Sequence, residues 1–229
     1  MCKTHIYLSK IDTALSQETY DGLLQIISKE NRERCLRFRR REDALRTLYG
    51  ELIVRHVLCQ QFSLKNKAIA FSKGNEGKPY VKDSPVHFNI SHAGDFVVCA
   101  FSEQEVGIDI EQIREIDDLG LTKRYFHKCE YEDLLVLDAN RRLDYFFSLW
   151  TLKESYMKWL GDGMSIPLDS FFFKITDAGI LMVDTNRDFS PFFKQYSIDG
   201  YSLSLCSAVS DFPDKMDNIS LENLCFRRL

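Results

Sequence analysis

Two acidic side chains interrupt an apolar stretch near the middle of the chain, VGIDIEQI at residues 106–113. The Val and Ile residues of this stretch alternate with the acids, which is the pattern of a β-strand. Side chains two residues apart on a strand lie on the same face, about 6 to 7 Å apart, so Asp109 and Glu111 share one face. Paired carboxylates suit a divalent cation, but an acidic, solvent-exposed strand face is the simpler explanation of this pattern alone.

A second group of chemically capable residues lies in FFSLWTLKESYMKWLGDG, residues 146–163. Its apolar residues recur every three or four positions, which predicts an amphipathic helix that ends near Gly161 and Gly163. Glu154 and Lys158 are four residues apart and share one helix face. They form either an ordinary surface ion pair or a site in which Glu154 joins the two strand acids and Lys158 faces an anion.

A basic segment precedes both groups, at residues 29–43, with seven basic and four acidic residues and a net charge of +3. It suits a solvated helix face with ion pairs, or a phosphate site in which arginine guanidinium groups bind phosphate oxygens. Three carboxylates beside Lys and Arg groups are typical of a Mg²⁺ site that acts on phosphate esters. The residues alone therefore predict metal-assisted phosphoryl transfer or phosphodiester cleavage.

The elements that must position these residues alternate between strands and helices. The patterns predict one helix from about Asp43 to Gln61, a loop at residues 74–79 that carries Gly77 and Lys78, and a polar connection from Arg114 to Lys123. The remaining predicted elements are a strand at 4–11, a helix opening at Ser16, two strands within 87–102 joined by a turn at 93–95, a helical segment at 130–142, and hairpins with turns at 177–179 and 199–200.

Composition limits the class of protein. The chain has 229 residues, of which 45% are hydrophobic and 13% aromatic, enough to bury a full core. The net charge of −4 argues against a protein that binds nucleic acid over its whole surface. Seven scattered cysteines without a C-x-x-C pair fit a reducing cytosol, and no stretch approaches the roughly 18 apolar residues of a membrane span. We therefore expect a soluble, cytoplasmic protein with no membrane and no nucleic-acid partner.

Four motifs occur in a specific order: GKPYV, FNISHAGDFVVCAF, VGIDIEQI and WTLKESYMKWLGDG. Together with REDALRTLYGELIVRHVL they closely resemble the phosphopantetheinyl transferase superfamily, in particular its surfactin-synthetase-activating, Sfp-type branch. The resemblance extends from near the N-terminus to about residue 170. It implies an α+β fold of two similar halves, residues 1–104 and 105–229, related by a pseudo-two-fold axis, with coenzyme A bound in the cleft between them.

The same resemblance implies a reaction. Enzymes of this family move the 4'-phosphopantetheine arm from coenzyme A to a serine of an acyl or peptidyl carrier protein, require Mg²⁺ and release adenosine 3',5'-bisphosphate. The Sfp-type branch points to carriers of nonribosomal peptide and polyketide synthases, and we expect a monomer. Two alternatives stay open: a metal-dependent nuclease or phosphodiesterase, and a non-catalytic nucleic-acid module that uses the basic segment CLRFRRRE.

When the family's motifs are matched to this sequence residue by residue, the metal-binding acids correspond to Asp109, Glu111 and Glu154. The lysine that contacts the pyrophosphate corresponds to Lys158. Either Glu154 or Glu130, in HKCEY, removes the serine proton. Positions that contact nucleotide or phosphate in the family correspond to Arg34, Thr47, Gly77, Lys78, Ser91 and His92, the last also counted with the catalytic group.

One departure from the family concerns Asn31, where close relatives carry a lysine that reaches the 3'-phosphate; Arg34 and Arg32 remain to supply the charge.

A final prediction concerns the carrier protein. Carriers of this class are acidic around the modified serine, so a basic and aromatic surface suits their docking. The predicted docking patch consists of Lys123, Arg124, Tyr125, Phe126 and Lys128.

Overall fold

The computed structural model describes residues 4–74, 76–82, 84, 86–161, 163–184 and 190–224, which form six α-helices and eleven β-strands in an α+β arrangement. The helices are α1 (Gln17–Leu24), α2 (Lys29–Arg37), α3 (Arg41–Gln61), α4 (Asp118–Tyr125), α5 (Lys128–Leu135) and α6 (Ala139–Leu160). The strands are β1 (His5–Lys10), β2 (Phe71–Lys73), β3 (Pro79–Val81), β4 (His87–Ala93), β5 (Phe96–Ser102), β6 (Val106–Gln112), β7 (Phe171–Thr176), β8 (Gly179–Asp184), β9 (Phe192–Ile198), β10 (Tyr201–Ser207) and β11 (Asp217–Asn218).

The first part of the chain is built on a four-stranded sheet with the order β11-β1-β5-β4. Helix α3 packs on this sheet because its apolar residues, among them Leu45, Leu48 and Leu52, are fully buried in a shared core. The helices α1 and α2 begin at Ser16 and Ser28, whose side chains each accept a hydrogen bond from a backbone N–H of the first turn. This part of the fold therefore places α3 beside β4, with α2 packed on α3.

The second part is built on a three-stranded sheet with the order β6-β10-β9, against which α6 packs. The Val and Ile residues of β6 are buried in a core that the two sheets share. Gly107 faces α6 so closely that a Cβ at this position would lie 2.1 Å from the carbonyl oxygen of Ser155. Asp109 and Glu111 have the same parity as Gly107 and so face α6, which confirms the strand and the two faces predicted from VGIDIEQI.

Side chains of β4 join the two sheets where β4 runs beside β6. The side-chain oxygen of Asn89 accepts a hydrogen bond from Ile108 N at 2.9 Å, and Ser91 Oγ accepts one from Ile110 N at 3.3 Å. Because Asn89 and Ser91 have the same parity, His92 points to the opposite face of β4. The motif FNISH thus connects the two parts of the molecule and also supplies residues to the cleft between them.

The last described segment returns to the first sheet. Strand β11 pairs in parallel with β1, and two apolar residues beside it, Ile219 and Leu224, enter the core around α3. Residues 217–224 therefore pack with the first part of the chain, although they lie within the segment that the sequence analysis assigns to the second half.

Several predicted elements are confirmed, and two differ. The predicted strand pairs around residues 93–95, 177–179 and 199–200 are antiparallel hairpins, and α6 ends at Gly161, whose φ of +77° suits glycine. The connection predicted from Arg114 to Lys123 instead contains most of α4, which begins after the N-cap Asp117. The helical segment predicted at 130–142 is interrupted, because Asp138 starts the new helix α6.

The predicted loop at 74–79 is confirmed at its described residues 74 and 76–78, while Pro79 begins β3, which pairs with β2 in a short antiparallel hairpin. Within the described ranges, no helix is both long enough and apolar enough to cross a membrane. The cysteines at 35, 59, 99, 129 and 206 are free thiols, while Cys2 and Cys225 lie outside the described residues.

Candidate functional site

The candidate site lies where β4, β6 and α6 meet. The Lys158 ammonium donates hydrogen bonds to Asp109 Oδ1 at 2.6 Å and to Ser91 Oγ at 2.9 Å. The Ser91 hydroxyl in turn donates to the same Asp109 oxygen at 2.8 Å. The other carboxylate oxygen of Asp109, Oδ2, is buried without a hydrogen-bond partner among the described residues. Since a buried carboxylate oxygen is costly to leave unpaired, Asp109 retains the capacity to bind a cation.

The two other predicted metal-binding acids lie close enough to Asp109 to alter each other's ionisation. Burial, followed by the carboxylates of Asp109 and Glu154, raises the pKa of Glu111 to about 7 against the opposing effect of Lys158 and Arg114. Burial and then Asp109 also raise the pKa of Glu154. A divalent cation would offset the repulsion between Asp109 and these two acids, whose pKa values are raised.

These side chains suit Mg²⁺ by their chemistry. As they stand, no set of three or more His, Cys, Asp or Glu side chains in the described part of the chain is arranged to hold a metal ion. Lys158 provides the positive charge at Asp109. Binding of a divalent cation by all three acids would therefore require Lys158 and the partly exposed side chains of Glu111 and Glu154 to adjust.

A cavity of about 480 Å³ lies between α2, α3 and the β2–β3 hairpin. It is lined by four predicted nucleotide-contacting residues, Arg34, Thr47, Gly77 and His92, and also by Arg46. The His92 imidazole is open to the cavity, yet desolvation by the surrounding walls lowers its pKa, and the charge of Arg46 lowers it further. The sequence analysis missed Arg46, although an arginine beside Thr47 in a largely apolar helix was a usable signal.

Asn31 is held at the edge of the same cavity. The buried Glu51 carboxylate accepts hydrogen bonds from Asn31 Nδ2 at 2.6 Å, from the Ser28 hydroxyl at 2.8 Å and from Arg55 Nε at 2.7 Å. The Nε of Arg32 donates to the Leu24 carbonyl at 2.8 Å. Of the two arginines expected to replace the missing lysine, Arg34 is the one that lines the cavity.

Two more cavities continue this one into a groove. A cavity of about 280 Å³ is lined by Lys78, Glu154 and Lys158 and shares Gly77, Pro79 and Ile90 with the first. A third, of about 510 Å³, shares Glu154 and Met157 with the second. The third cavity is lined by Arg124, Tyr125, Trp150, Glu154, Met157, Ile166, Pro167, Leu168 and Asp169. The groove thus runs from the arginines of the first part, past Glu154 and Lys158, to an apolar end.

The predicted docking patch lies at this apolar end, with one correction. The side chains of Lys123, Arg124, Tyr125 and Lys128 are exposed, but Phe126 is only 5% exposed. Its ring stacks on Phe146 and Trp150. The prediction that Phe126 belongs to the docking surface is therefore wrong, because this ring completes the core beneath α6.

Glu130 lies elsewhere, fully buried between α5, α6 and β7. One carboxylate oxygen is 2.9 Å from Lys153 Nζ and accepts from His127 N at 3.1 Å; the other accepts from Phe173 N at 3.0 Å. The structure therefore does not bring Glu130 together with the three clustered acids. Both Glu130 oxygens already accept hydrogen bonds within the protein, so Glu154 is the better placed of the two candidate proton acceptors.

Comparison with known proteins identifies related sequences over nearly the whole chain. Residues 14–104 match the family model "4'-phosphopantetheinyl transferase, N-terminal", and residues 105–206 match "4'-phosphopantetheinyl transferase superfamily". The 4'-phosphopantetheinyl transferase Sfp of Bacillus subtilis (strain 168) is 44% identical over 222 residues, 96% of this chain and 99% of that protein. The 4'-phosphopantetheinyl transferase gsp of Aneurinibacillus migulanus is 36% identical over 218 residues, 94% of this chain and 91% of that protein.

A weaker likeness is found to a solved structure, a holo-(acyl-carrier-protein) synthase of Bacillus anthracis in complex with CoA (3',5'-ADP). The TM-score is 0.41 at 16% sequence identity, over 45% of this chain and 93% of that chain. A likeness of this degree carries no weight for function.

Proposed function

Because the chain belongs to the 4'-phosphopantetheinyl transferase superfamily and transfers 4'-phosphopantetheine from coenzyme A to carrier proteins, we propose that the groove described above performs this reaction with Mg²⁺. The family membership confirms the Sfp-type resemblance and favours transfer over the nuclease or phosphodiesterase alternative. One observation carries the assignment of the site: Lys158, which binds Asp109 and Ser91, lines a cavity that shares residues with the arginine-lined cavity on one side and with the apolar cavity on the other.

The first cavity is proposed to bind the nucleotide end of coenzyme A. Arg34 presents a guanidinium group that suits phosphate, and Thr47 and His92 offer further hydrogen-bonding groups. Arg46 adds positive charge to the cavity wall, although its guanidinium pairs with Asp43 and donates to the Gly94 carbonyl. The lowered pKa of His92 keeps its imidazole neutral at pH 7 until an anion binds nearby. Gly77 lets the loop backbone approach the ligand, since no side chain projects from it.

The three clustered acids are proposed to hold the metal ion. Asp109 would contribute its unpaired Oδ2, with Glu111 and Glu154 completing the set of protein oxygens. When bound, Mg²⁺ would neutralise the pyrophosphate and polarise the phosphorus that the serine attacks.

Lys158 is proposed to act on the leaving group, and Glu154 is proposed to act on the attacking serine hydroxyl. As the bond between the carrier serine oxygen and phosphorus forms, the bond to the bisphosphate breaks, and the Lys158 ammonium stabilises the negative charge on the departing oxygen. Glu154 lines both the second and the third cavities, so its carboxylate lies where a serine hydroxyl beside the apolar cavity can lose its proton to it.

The third cavity and the exposed part of the docking patch are proposed to receive the carrier. Apolar walls around Trp150, Ile166 and Leu168 suit the uncharged pantetheine arm, while Lys123, Arg124 and Lys128 attract an acidic carrier. We further propose synthase carrier domains as the natural substrates, a monomeric enzyme and a cytoplasmic location. The free thiols support the last point.

The test is the intact mass of a panel of apo carrier proteins after incubation with the enzyme, coenzyme A and Mg²⁺. A gain of one phosphopantetheine group on the carrier, abolished by a chelator and restored by added Mg²⁺, is the expected result. Unmodified carriers throughout would contradict the proposed function, and unchanged transfer after complete chelation would contradict the metal. The relative rates across the panel identify the preferred carrier class.

A further inference from the structure

The loop at residues 74–79, of which residue 75 lies outside the described residues, forms part of the wall of two cavities. Gly77 and Pro79 line both the first cavity, proposed for the nucleotide, and the second, which contains Lys158. The loop turns tightly: Gly74 N donates to the Lys78 carbonyl at 2.9 Å, and Gly77 has a φ of +85°, which favours glycine. The position of this loop therefore helps to set the shape of the coenzyme A site.

Lys78 anchors the loop to the second part of the molecule. Its ammonium lies 2.7 Å from Glu105 Oε2, 3.2 Å from the Val106 carbonyl and 3.4 Å from the Trp159 carbonyl, so each of its three protons has an acceptor. The side chain is only 17% exposed, and its Cδ lies 3.7 Å from where a Cβ would stand at Gly161. The ammonium is thus paired within the protein, at the C-terminal end of α6.

Glu105 is the charged member of this set of acceptors. One oxygen of its carboxylate binds Lys78, and the other lies 2.9 Å from Nδ1 of His87, at the start of β4. A carboxylate binds an ammonium more strongly than a peptide carbonyl does, so Glu105 contributes most to holding Lys78. The Trp159 carbonyl adds the partial negative charge of a helix C-terminus, and it directly follows Lys158 along α6.

We propose that Glu105 is a positioning residue for coenzyme A: it holds Lys78, and through Lys78 it fixes the 74–79 loop against the end of α6. This inference rests on the proposed function. Without the Glu105 charge, Lys78 is held by two carbonyls at longer distances, and the loop samples more positions. Part of the binding energy of coenzyme A is then spent on ordering the loop, which raises KM. The groups at the reacting phosphorus, Asp109, Glu154 and Lys158, are unchanged, so kcat is retained.

The test compares Glu105→Gln, Lys78→Met and the double variant with wild type, using saturating carrier and Mg²⁺. Glu33→Gln is the matched control, because Glu33 pairs with Lys29 and Arg37 on the exposed face of α2. We expect Glu105→Gln to raise KM for coenzyme A about three- to tenfold, with kcat within about twofold of wild type. The double variant should be no worse than Lys78→Met alone, because both changes break the same contact.

Hydrogen exchange gives a second readout that does not depend on turnover. Glu105→Gln should speed amide exchange in β2, β3 and the last turn of α6, whereas Glu33→Gln should leave these segments unchanged. An unchanged KM in Glu105→Gln, effects that multiply in the double variant, or unchanged exchange in these segments would each overturn the role of Glu105. Wild-type transfer in the same assay separates the two claims, since absence of wild-type transfer would contradict the proposed function itself.

Discussion

Helix α6 carries two lysines, each paired with a carboxylate, and the two pairs differ in what surrounds them. Lys153 and Glu130 are 2.9 Å apart and essentially without exposure, while Lys158 and Asp109 are 2.6 Å apart with side-chain exposures of 28% and 5%. Lys153 also donates to two carbonyls, and both Glu130 oxygens accept hydrogen bonds from backbone N–H groups. In the second pair, Asp109 keeps one oxygen unpaired beside two further acids.

The difference shows that a buried ion pair does not by itself indicate a functional site. In the first pair every polar atom has a partner within the protein, so the pair joins α5, α6 and β7. In the second pair, Asp109 Oδ2 has no hydrogen-bond partner among the described residues and can bind a cation. The raised pKa values of the neighbouring Glu111 and Glu154 show that their negative charges are unfavourable without such a cation. A carboxylate oxygen without a hydrogen-bond partner near a groove, rather than the ion pair itself, distinguishes the Asp109 region from the Glu130 region.

The largest effect is expected for Asp109→Asn. The amide cannot supply the carboxylate charge to the metal ion, so the transfer rate should fall by about 10³-fold or more. Asn removes repulsion with Glu111 and Glu154 but also the ion pair with Lys158, whose ammonium is partly exposed and can be solvated. The free energy of unfolding should therefore change much less than when the fully buried Glu130 loses its charge. Transfer is measured by intact carrier mass and stability by urea unfolding; a fully active variant would disprove the metal assignment.

The next effect concerns stability at the other pair. Glu130→Gln or Lys153→Met leaves one buried charge without its partner and should lower the free energy of unfolding by about 3 to 5 kcal/mol. The double variant removes both charges and should recover most of this loss. Urea unfolding of the four proteins forms the double-mutant cycle; additive losses would show that the two residues do not act as a pair.

A smaller effect on transfer is expected for Lys158→Met. Loss of the ammonium should reduce the transfer rate by about 10²-fold, because negative charge on the departing bisphosphate is then less stabilised. The same change removes the competing positive charge from Asp109 Oδ1, which keeps its hydrogen bond from Ser91. Mn²⁺, used as a probe in the absence of coenzyme A, should therefore bind more tightly than to wild type. Weaker Mn²⁺ binding would show that Lys158 does not compete with a cation at Asp109.

The smallest effect is a pH-dependent change in stability at Glu111. Its folded-state pKa is raised from 4.5 to about 7, so the folded protein binds a proton that the unfolded chain has released. The metal-free protein therefore loses stability as the pH rises from about 4.5 to 7 and no more from this group above that range. Glu111→Gln should have a melting temperature a few degrees higher than wild type at pH 8, since each kcal/mol of unfolding free energy shifts the melting temperature by about 2 to 4 °C. The difference should vanish near pH 4.

The sequence predicted the local elements well where periodicity was strong. The alternation in VGIDIEQI gave β6 and the face of Asp109 and Glu111, and the spacing from Phe146 to Leu160 gave the part of α6 that carries Glu154 and Lys158. Helix α4 was missed because it is only eight residues long, contains Gly120, and follows the N-cap Asp117 in a run that resembles a loop. The residues that line the first cavity were found mainly through the family resemblance.

Contacts between distant residues could not be predicted from spacing. Lys153 lies 23 positions from Glu130, so nothing in HKCEY showed that this acid is closed off by a buried ion pair. The burial of Phe126 depends on rings contributed by α6, and the pairing of Lys78 with Glu105 depends on how the hairpin meets the start of β6. Local patterns fix the face of a side chain, whereas tertiary packing fixes its partner.

The most direct measurement compares the two ion pairs in one transfer assay, with rates normalised to folded protein. We predict that Asp109→Asn loses transfer by about 10³-fold or more, while the folded fraction of the Glu130→Gln/Lys153→Met double variant transfers within about tenfold of wild type. Full transfer by Asp109→Asn, or its loss in the folded double variant, would contradict the assignment of Asp109 to the reaction and of Glu130 to the fold.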